Sequence, residues 1–172
     1  ANSDSGKVIV FLDEIDALGK RGGSTLDSTI NQLLTEIDGF QEDESVIVIG
    51  ATNHPKNIDP ALLRAGRLSK TIRIGLPNLK QREELLKFYT EKSHLKNVDL
   101  KKIADLTSNF SPADIKELVH KACLVSIDQN SNVVTQANMV EGIRQAIQKK
   151  QNDGDSNAQQ MLDALDVATS PN

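Results

Sequence analysis

Two short apolar runs, Val8-Ile9-Val10-Phe11-Leu12 and Val46-Ile47-Val48-Ile49, set the frame of this chain. Both are rich in β-branched residues and too short for helices, so both read as buried strands, the first of them parallel. Between them Leu26, Ile30, Leu33, Leu34 and Ile37 recur at helical spacing, with Gly39 placed to cap the C-terminus of that helix. Residues 19–25 are loop by composition. Asp59-Pro60 offers an N-cap followed by proline at the first helical position, which predicts a short helix over 60–65. Thr71-Ile72-Arg73-Ile74 reads as a third strand. Strand–helix–strand alternation implies an α/β fold with a parallel sheet.

After Gly75-Leu76-Pro77 the pattern becomes all-helical. The spacing predicts a helix over 79–92 carrying Leu85, Leu86, Phe88 and Tyr89, and a short one over 99–106. Ser111-Pro112 opens the next, with Ile115, Leu118, Val119, Ala122 and Ser126 on one face. Thr135 caps the last, whose face is Val140, Ile143 and Ile147. The organisation is therefore an α/β part over 1–75, a helical part over 76–150, and a polar tail over 151–172. Asn, Asp, Gln and Ser dominate that tail; a weak helix fits 161–167, but the composition predicts disorder.

Charge and composition change this picture little. The 172 residues carry a net charge of −4, which argues against a dedicated nucleic-acid surface. Cys123 is the single cysteine, so no intrachain disulfide forms and a reducing compartment, the cytoplasm, is expected. No apolar run approaches the roughly 20 residues that span a bilayer, and the opening residues are polar, like a linker or a cut end. His54, His94 and His120 have no ligand spacing, and His120 and Cys123, one helical turn apart, read as packing rather than metal ligands.

The chemistry concentrates where the first apolar run meets Asp13-Glu14. Open α/β sheets place their ligands at the carboxyl ends of strands. An acid at that point is suited to holding Mg²⁺ on phosphates, and a second acid beside it can orient or deprotonate an attacking water. About 40 residues on, the second strand ends in Ala51-Thr52-Asn53, and Asp59-Pro60-Ala61-Leu62-Leu63-Arg64-Ala65-Gly66-Arg67 follows.

Over residues 7–148 this order resembles the AAA+ ATPase family: Walker B, sensor 1, an arginine-finger segment and a helical lid. The resemblance implies a partial parallel-sheet large subdomain followed by an all-α lid. Asn31-Gln32-Leu33-Leu34-Thr35-Glu36-Ile37-Asp38-Gly39-Phe40 is most similar to the FtsH-type branch, in which Asp38, Gly39 and Phe40 match the inter-subunit signalling motif. The Gly22-Gly23 loop takes the place of the second pore loop. By the same resemblance Asp13 supports Mg²⁺, Glu14 activates water, Asn53 is sensor 1, and Arg64 and Arg67 are paired fingers. Asp16 is expected to position a neighbouring side chain. Ala113 contacts nucleotide. The implied cofactors are ATP and Mg²⁺. The implied partners are further copies of the chain in a hexameric ring and a protein substrate, with a membrane reached only through segments outside these residues.

Several positions depart from the family pattern. Ala65 stands where proline is common, and Leu68-Ser69-Lys70 where Phe-Asp-Arg is common. The lid motif reads Asn109-Phe110-Ser111-Pro112-Ala113-Asp114, with Pro112 in place of a glycine that offers its backbone to nucleotide; proline has no N–H to offer. No Gly-x-x-x-x-Gly-Lys-[Ser/Thr] phosphate loop and no His-Glu-x-x-His zinc motif occurs in the sequence. The resemblance is thus to the C-terminal half of a large subdomain plus its lid, inactive alone. Two other classes fit these residues: a non-catalytic module that docks on intact subunits, and a remodelling ATPase of the Cdc48 or microtubule-severing type.

Overall fold

A computed structural model describes residues 7–18, 24–41 and 45–170. The Gly22-Gly23 loop lies outside them, as does the side chain of Leu26. The chain forms two compact units, one through Arg73 and one from Ile74 onward.

In the first unit, β1 (Val8–Leu12) and β2 (Val46–Gly50) pair in parallel, from Val8 opposite Val46 to Leu12 opposite Gly50. Parallel neighbours need a crossover, and α1 (Ser24–Gln41) supplies it. Ile30, Leu34 and Ile37 of α1 pack in one core with Ile15, Ile58, Ala61 and Leu62, and Leu12 and Val48 close it from the strands. The period-two alternation of a strand sends the other side chains to the opposite face. Ile9, Phe11, Ile47 and Ile49 are there, all exposed, so the strands are covered on one face and not buried on both as the apolar runs predict.

Three further expectations change here. Residues 71–74 form no strand among the described elements, and Ile72 is 75% exposed. β-Branched residues make a strand only where a neighbouring edge accepts their hydrogen bonds. Gly39 does not end α1, which continues to Gln41. A glycine inside a helix costs about 1 kcal/mol relative to alanine, too little to stop one anchored by a buried face. The predicted helix over 60–65 is a 3-10 turn over Pro60–Leu63.

The second unit is helical: α2 (Leu79–Thr90), α3 (Leu100–Leu106), α4 (Pro112–Asp128), α5 (Gln136–Asn152) and α6 (Ala158–Thr169). Each of the first four starts at a side chain that accepts from a first-turn N–H, which is why the starts are legible in sequence. Asn78 and Gln81, Ser111 and Asp114, and Thr135 and Asn138 form reciprocal capping boxes, and Asp99 accepts from Lys101 and Lys102 N–H. Leu86, Ile103, Phe110, Ile115, Leu118, Met139 and Ile143 are fully buried together. Two two-residue strands, β3 (Leu95–Lys96) and β4 (Val134–Thr135), pair in parallel at the edge. Arg82 is buried at the start of the unit. Its Nε donates to Ala104 O at 3.1 Å and its Nη1 to Pro77 O at 2.9 Å, and burial pushes its pKa down.

The tail expected to be disordered contains α6. Ala158 and Leu165 are buried, Met161 and Leu162 pack beside them, and Asp166 takes Arg144 Nη1 at 2.7 Å. These four apolar residues fall at helical spacing, a stripe that the polar composition of the segment outweighs when composition alone is read.

Helices α4 and α5 cross closely at Gly142. A Cβ on Gly142 would lie 2.5 Å from Leu118 O and 3.0 Å from Ala122 N, both backbone atoms. Gly142→Ala is therefore expected to force the helices apart and destabilise the second unit by about 1–3 kcal/mol, measured as a shift of the denaturant midpoint at constant slope.

Candidate functional site

The carboxyl ends of β1 and β2 stay tied beyond the strands. Ala51 N donates to Leu12 O at 2.8 Å and Ile15 N donates to Ala51 O at 3.1 Å. This continuation sets Asp13-Glu14 beside Thr52-Asn53. Glu14 has φ +52°, the left-handed region that costs a non-glycine residue about 1–2 kcal/mol. The strain is compensated locally: Glu14 N donates to Asp13 Oδ1 at 2.9 Å, and Ala17 N donates to Glu14 O at 2.8 Å, opening the 3-10 turn Ile15–Leu18. Asp13 and Glu14 are both exposed. The Asp13 carboxylate has one oxygen on the Glu14 amide and the other open to solvent, an oxygen donor of the kind Mg²⁺ takes. Among the described residues no group of three or more His, Cys, Asp or Glu side chains is placed to hold a metal ion, so any cation here would need oxygens from water or phosphate.

Asp16 accepts a hydrogen bond from Thr52 Oγ1, which in turn accepts from His54 N at 2.9 Å. Asn53, between Thr52 and His54, is exposed. Gly50 allows the close approach beneath it: a Cβ there would lie 2.9 Å from Ile15 Cδ1 and 3.0 Å from Leu68 Cδ1.

The arginine segment starts at Asp59, which accepts from Ala61 N at 2.7 Å and launches the 3-10 turn that buries Ala61 and Leu62. Gly66, at φ +85°, reverses the chain so that Leu68 N reaches Leu62 O at 3.0 Å. Arg67 then points back across the unit. Its Nε and Nη2 each meet an oxygen of Asp38 at 2.6 Å, and its Nη1 donates to Ala61 O at 2.9 Å. The fork matches the carboxylate in a bidentate pair. The hydrogen bonds from Arg67 hold the Asp38 carboxyl below its ordinary pKa, and Asp38 raises that of Arg67. Arg64 is exposed and makes no ion pair among the described residues. The two candidate fingers therefore differ: one is free, and the other is held by the first residue of the Asp38-Gly39-Phe40 triplet. Gly39 is exposed and Phe40 half-buried on the last turns of α1.

Ala113 lies in the second unit, exposed in the first turn of α4. Pro112 has no N–H and Ser111 Oγ takes the N–H of Asp114, which leaves Ala113 N–H as that turn's outward donor. Burial works against the charge of Asp114. Hydrogen bonds from Ser111 N (2.8 Å), Ser111 Oγ (2.8 Å) and Lys150 Nζ (3.0 Å) outweigh it and hold its pKa below the ordinary value.

Residues 1–76 match the family model for the ATPase family associated with various cellular activities, AAA, and residues 97–141 match the AAA+ lid domain. The chain belongs to the AAA+ ATPase family. Among curated AAA+ relatives, the proteasome-activating nucleotidase of Thermococcus onnurineus is 40% identical over 150 residues, covering 83% of this chain and 38% of the relative. The ATP-dependent zinc metalloprotease FtsH 1 of Thermoanaerobacter sp. is 42% identical over 147 residues, covering 81% and 24%. The FtsH metalloprotease of Lactococcus lactis is 41% identical over 148 residues, covering 81% and 21%. The chain thus spans only about a fifth to two fifths of these AAA+ relatives. No helix among the described residues is long and apolar enough to cross a membrane.

Two contacts at this AAA+ site were not legible in sequence. Thr52 is the partner that Asp16 lacked by name, and a hydroxyl directly before Asn53 at a strand end was its only signal. The Asp38–Arg67 pair joins residues far apart in the chain with no local spacing rule to reveal it.

Two outcomes follow from this geometry. Glu14→Gly is expected to stabilise the chain by roughly 0.5–1 kcal/mol, the relief of a left-handed backbone less the added chain entropy of glycine, whereas Glu14→Gln is expected to be near neutral; chemical denaturation checks both. Because the folded-state pKa of Asp38 is lowered, its pairing supports the fold in full above the unfolded value of about 3.9 and is lost as pH falls through the folded value. In a carboxyl-carbon NMR titration, the Asp38 midpoint is expected below that of a free aspartate and to return towards it in Arg67→Ala.

Proposed function

We propose that the chain is the C-terminal half of an AAA+ nucleotide-binding subdomain with its lid, within a longer ATPase that uses ATP hydrolysis to unfold or remodel proteins, as an FtsH-like motor acting in the cytoplasm or at its membrane face. The observation that carries the reading is the juxtaposition of Asp13-Glu14 with Thr52-Asn53 at the ends of paired parallel strands. In this reading Asp13 holds Mg²⁺ on the phosphates of ATP, Glu14 takes a proton from the attacking water, and Asn53 holds that water by hydrogen bonds. ATP with Mg²⁺ supplies the phosphoryl group and the charge that these side chains manage. By the family resemblance, Ala113 of the second unit would offer its N–H to nucleotide.

Arg64 and Arg67 serve the ATP of a neighbouring copy in a hexameric ring. A guanidinium in trans is worth about 10³–10⁵ in rate in GTPases that use one. Arg67 has to leave Asp38 before it can reach a phosphate, so Asp38, Gly39 and Phe40 link finger release to the neighbour's state. The phosphate cradle and its lysine have no counterpart in these residues, so this chain alone is expected to bind ATP·Mg²⁺ weakly or not at all. Calorimetric titration checks this, and micromolar affinity would overturn it. A non-catalytic docking module is the alternative that the next experiment separates.

In the longer protein, Glu14→Gln is expected to bind ATP without hydrolysing it, and Arg67→Ala to be inactive through its neighbour. Mixed rings contain interfaces where an intact Glu14 meets an intact Arg67, so mixing the two variants is expected to restore part of the ATPase rate. With subunit exchange verified, and with dilution of wild type by Glu14→Gln showing no silencing of mixed rings, a flat zero at every ratio rejects the finger in trans.

A further inference from the structure

We propose that Asp16 and Thr52 are positioning residues that set Asn53 in register with Glu14. The role rests on the reading of this strand end as the hydrolytic site. Asn53 makes no side-chain hydrogen bond of its own among the described residues. Its place is set by the residues on either side: Thr52 Oγ1 accepts from His54 N at 2.9 Å, closing a tight turn around Asn53. A hydroxyl has a single proton. Thr52 gives that proton to Asp16, so the hydroxyl is oriented with a lone pair towards His54 N–H. Asp16 lies in the 3-10 turn that begins one residue after Glu14. That turn is itself fixed by Ile15 N to Ala51 O at 3.1 Å and Ala17 N to Glu14 O at 2.8 Å.

A closed path results: Glu14, the turn, Asp16, Thr52, Asn53. It crosses from one strand end to the other through one charge-assisted hydrogen bond. The β-branch of Thr52 narrows χ1, so the hydroxyl is held in place before any ligand arrives. The carboxamide of Asn53 stays free to bond a ligand while its backbone does not wander. A bond that only capped the turn would need no carboxylate from the opposite strand end.

The test begins on the chain as it stands. Thr52→Val keeps the shape and removes the hydroxyl; Thr52→Ser keeps the hydroxyl. Thr52→Val is expected to speed amide exchange at His54 by about tenfold, the loss of one hydrogen bond, and to shift the Asn53 carboxamide NMR signals, with Thr52→Ser restoring both. Unchanged Asn53 signals in Thr52→Val overturn the proposal. In the longer ATPase, Thr52→Val is expected to lower kcat by about tenfold or more with KM for ATP little changed. Thr52→Ser is expected to restore kcat, and the double variant Thr52→Val/Asn53→Ala to be no slower than Asn53→Ala alone. Additive losses, or a parallel fall in Tm that explains the loss of rate, overturn the positioning role. A longer protein that binds ATP but never hydrolyses it, with the His54 and Asn53 effects intact, rejects the hydrolytic reading of the site and reduces the pair to a turn clamp.

Discussion

The parallel pairing of β1 with β2 is the interaction on which the first unit depends. It is short, and its value lies in what happens after it ends. Backbone bonds from Ala51 to Leu12 and from Ile15 to Ala51 carry the ladder into the loops. Two acids and an amide that the sequence separates by about 40 residues therefore emerge side by side. Regular strands cannot present side chains beyond their own ends, so the left-handed backbone at Glu14 and the turn around Asn53 do that work. Both are local distortions held by short-range hydrogen bonds, Asp13 and Ala17 on Glu14 and Thr52 on His54, and the Thr52–Asp16 bond ties one to the other across the strand ends.

The second constraint is charge. Arg67 is drawn across the unit to Asp38, and the contact ties the arginine segment to the last turns of α1. The family resemblance assigns these two residues to different tasks, yet here they meet in one bidentate pair. A guanidinium bound this way has its donors taken up by the carboxylate of Asp38 and the carbonyl of Ala61. Arg64 makes no such pair among the described residues.

The second unit obeys a different logic. Its helices are local objects, the first four each started by a side-chain cap, and its core is largely aliphatic with Phe110 fully buried in it. Here α6 shows how a stripe of four apolar residues can outweigh a polar composition once a groove exists to receive it. The groove is a product of α5 and of the helices before it.

Element types were legible where the signal is local: the helical spans of α2 and α3, the caps of α4 and α5, the apolar face of α4, the crossover α1, and the order of Asp13-Glu14, Asn53 and the arginine segment. These follow from periodicity and from side chains acting on their own backbone within a turn. Tertiary structure alone decided the rest. Ile72 and Ile74 have strand propensity, but no edge beside them turns it into a strand. Gly39 has the chemistry of a cap, but packing of Ile30, Leu34 and Ile37 carries the helix past it. Thr52 found Asp16, and Arg67 found Asp38, through space that no spacing rule describes. Propensity acts over a few residues, whereas pairing, burial and long-range charge depend on what the folded chain brings near.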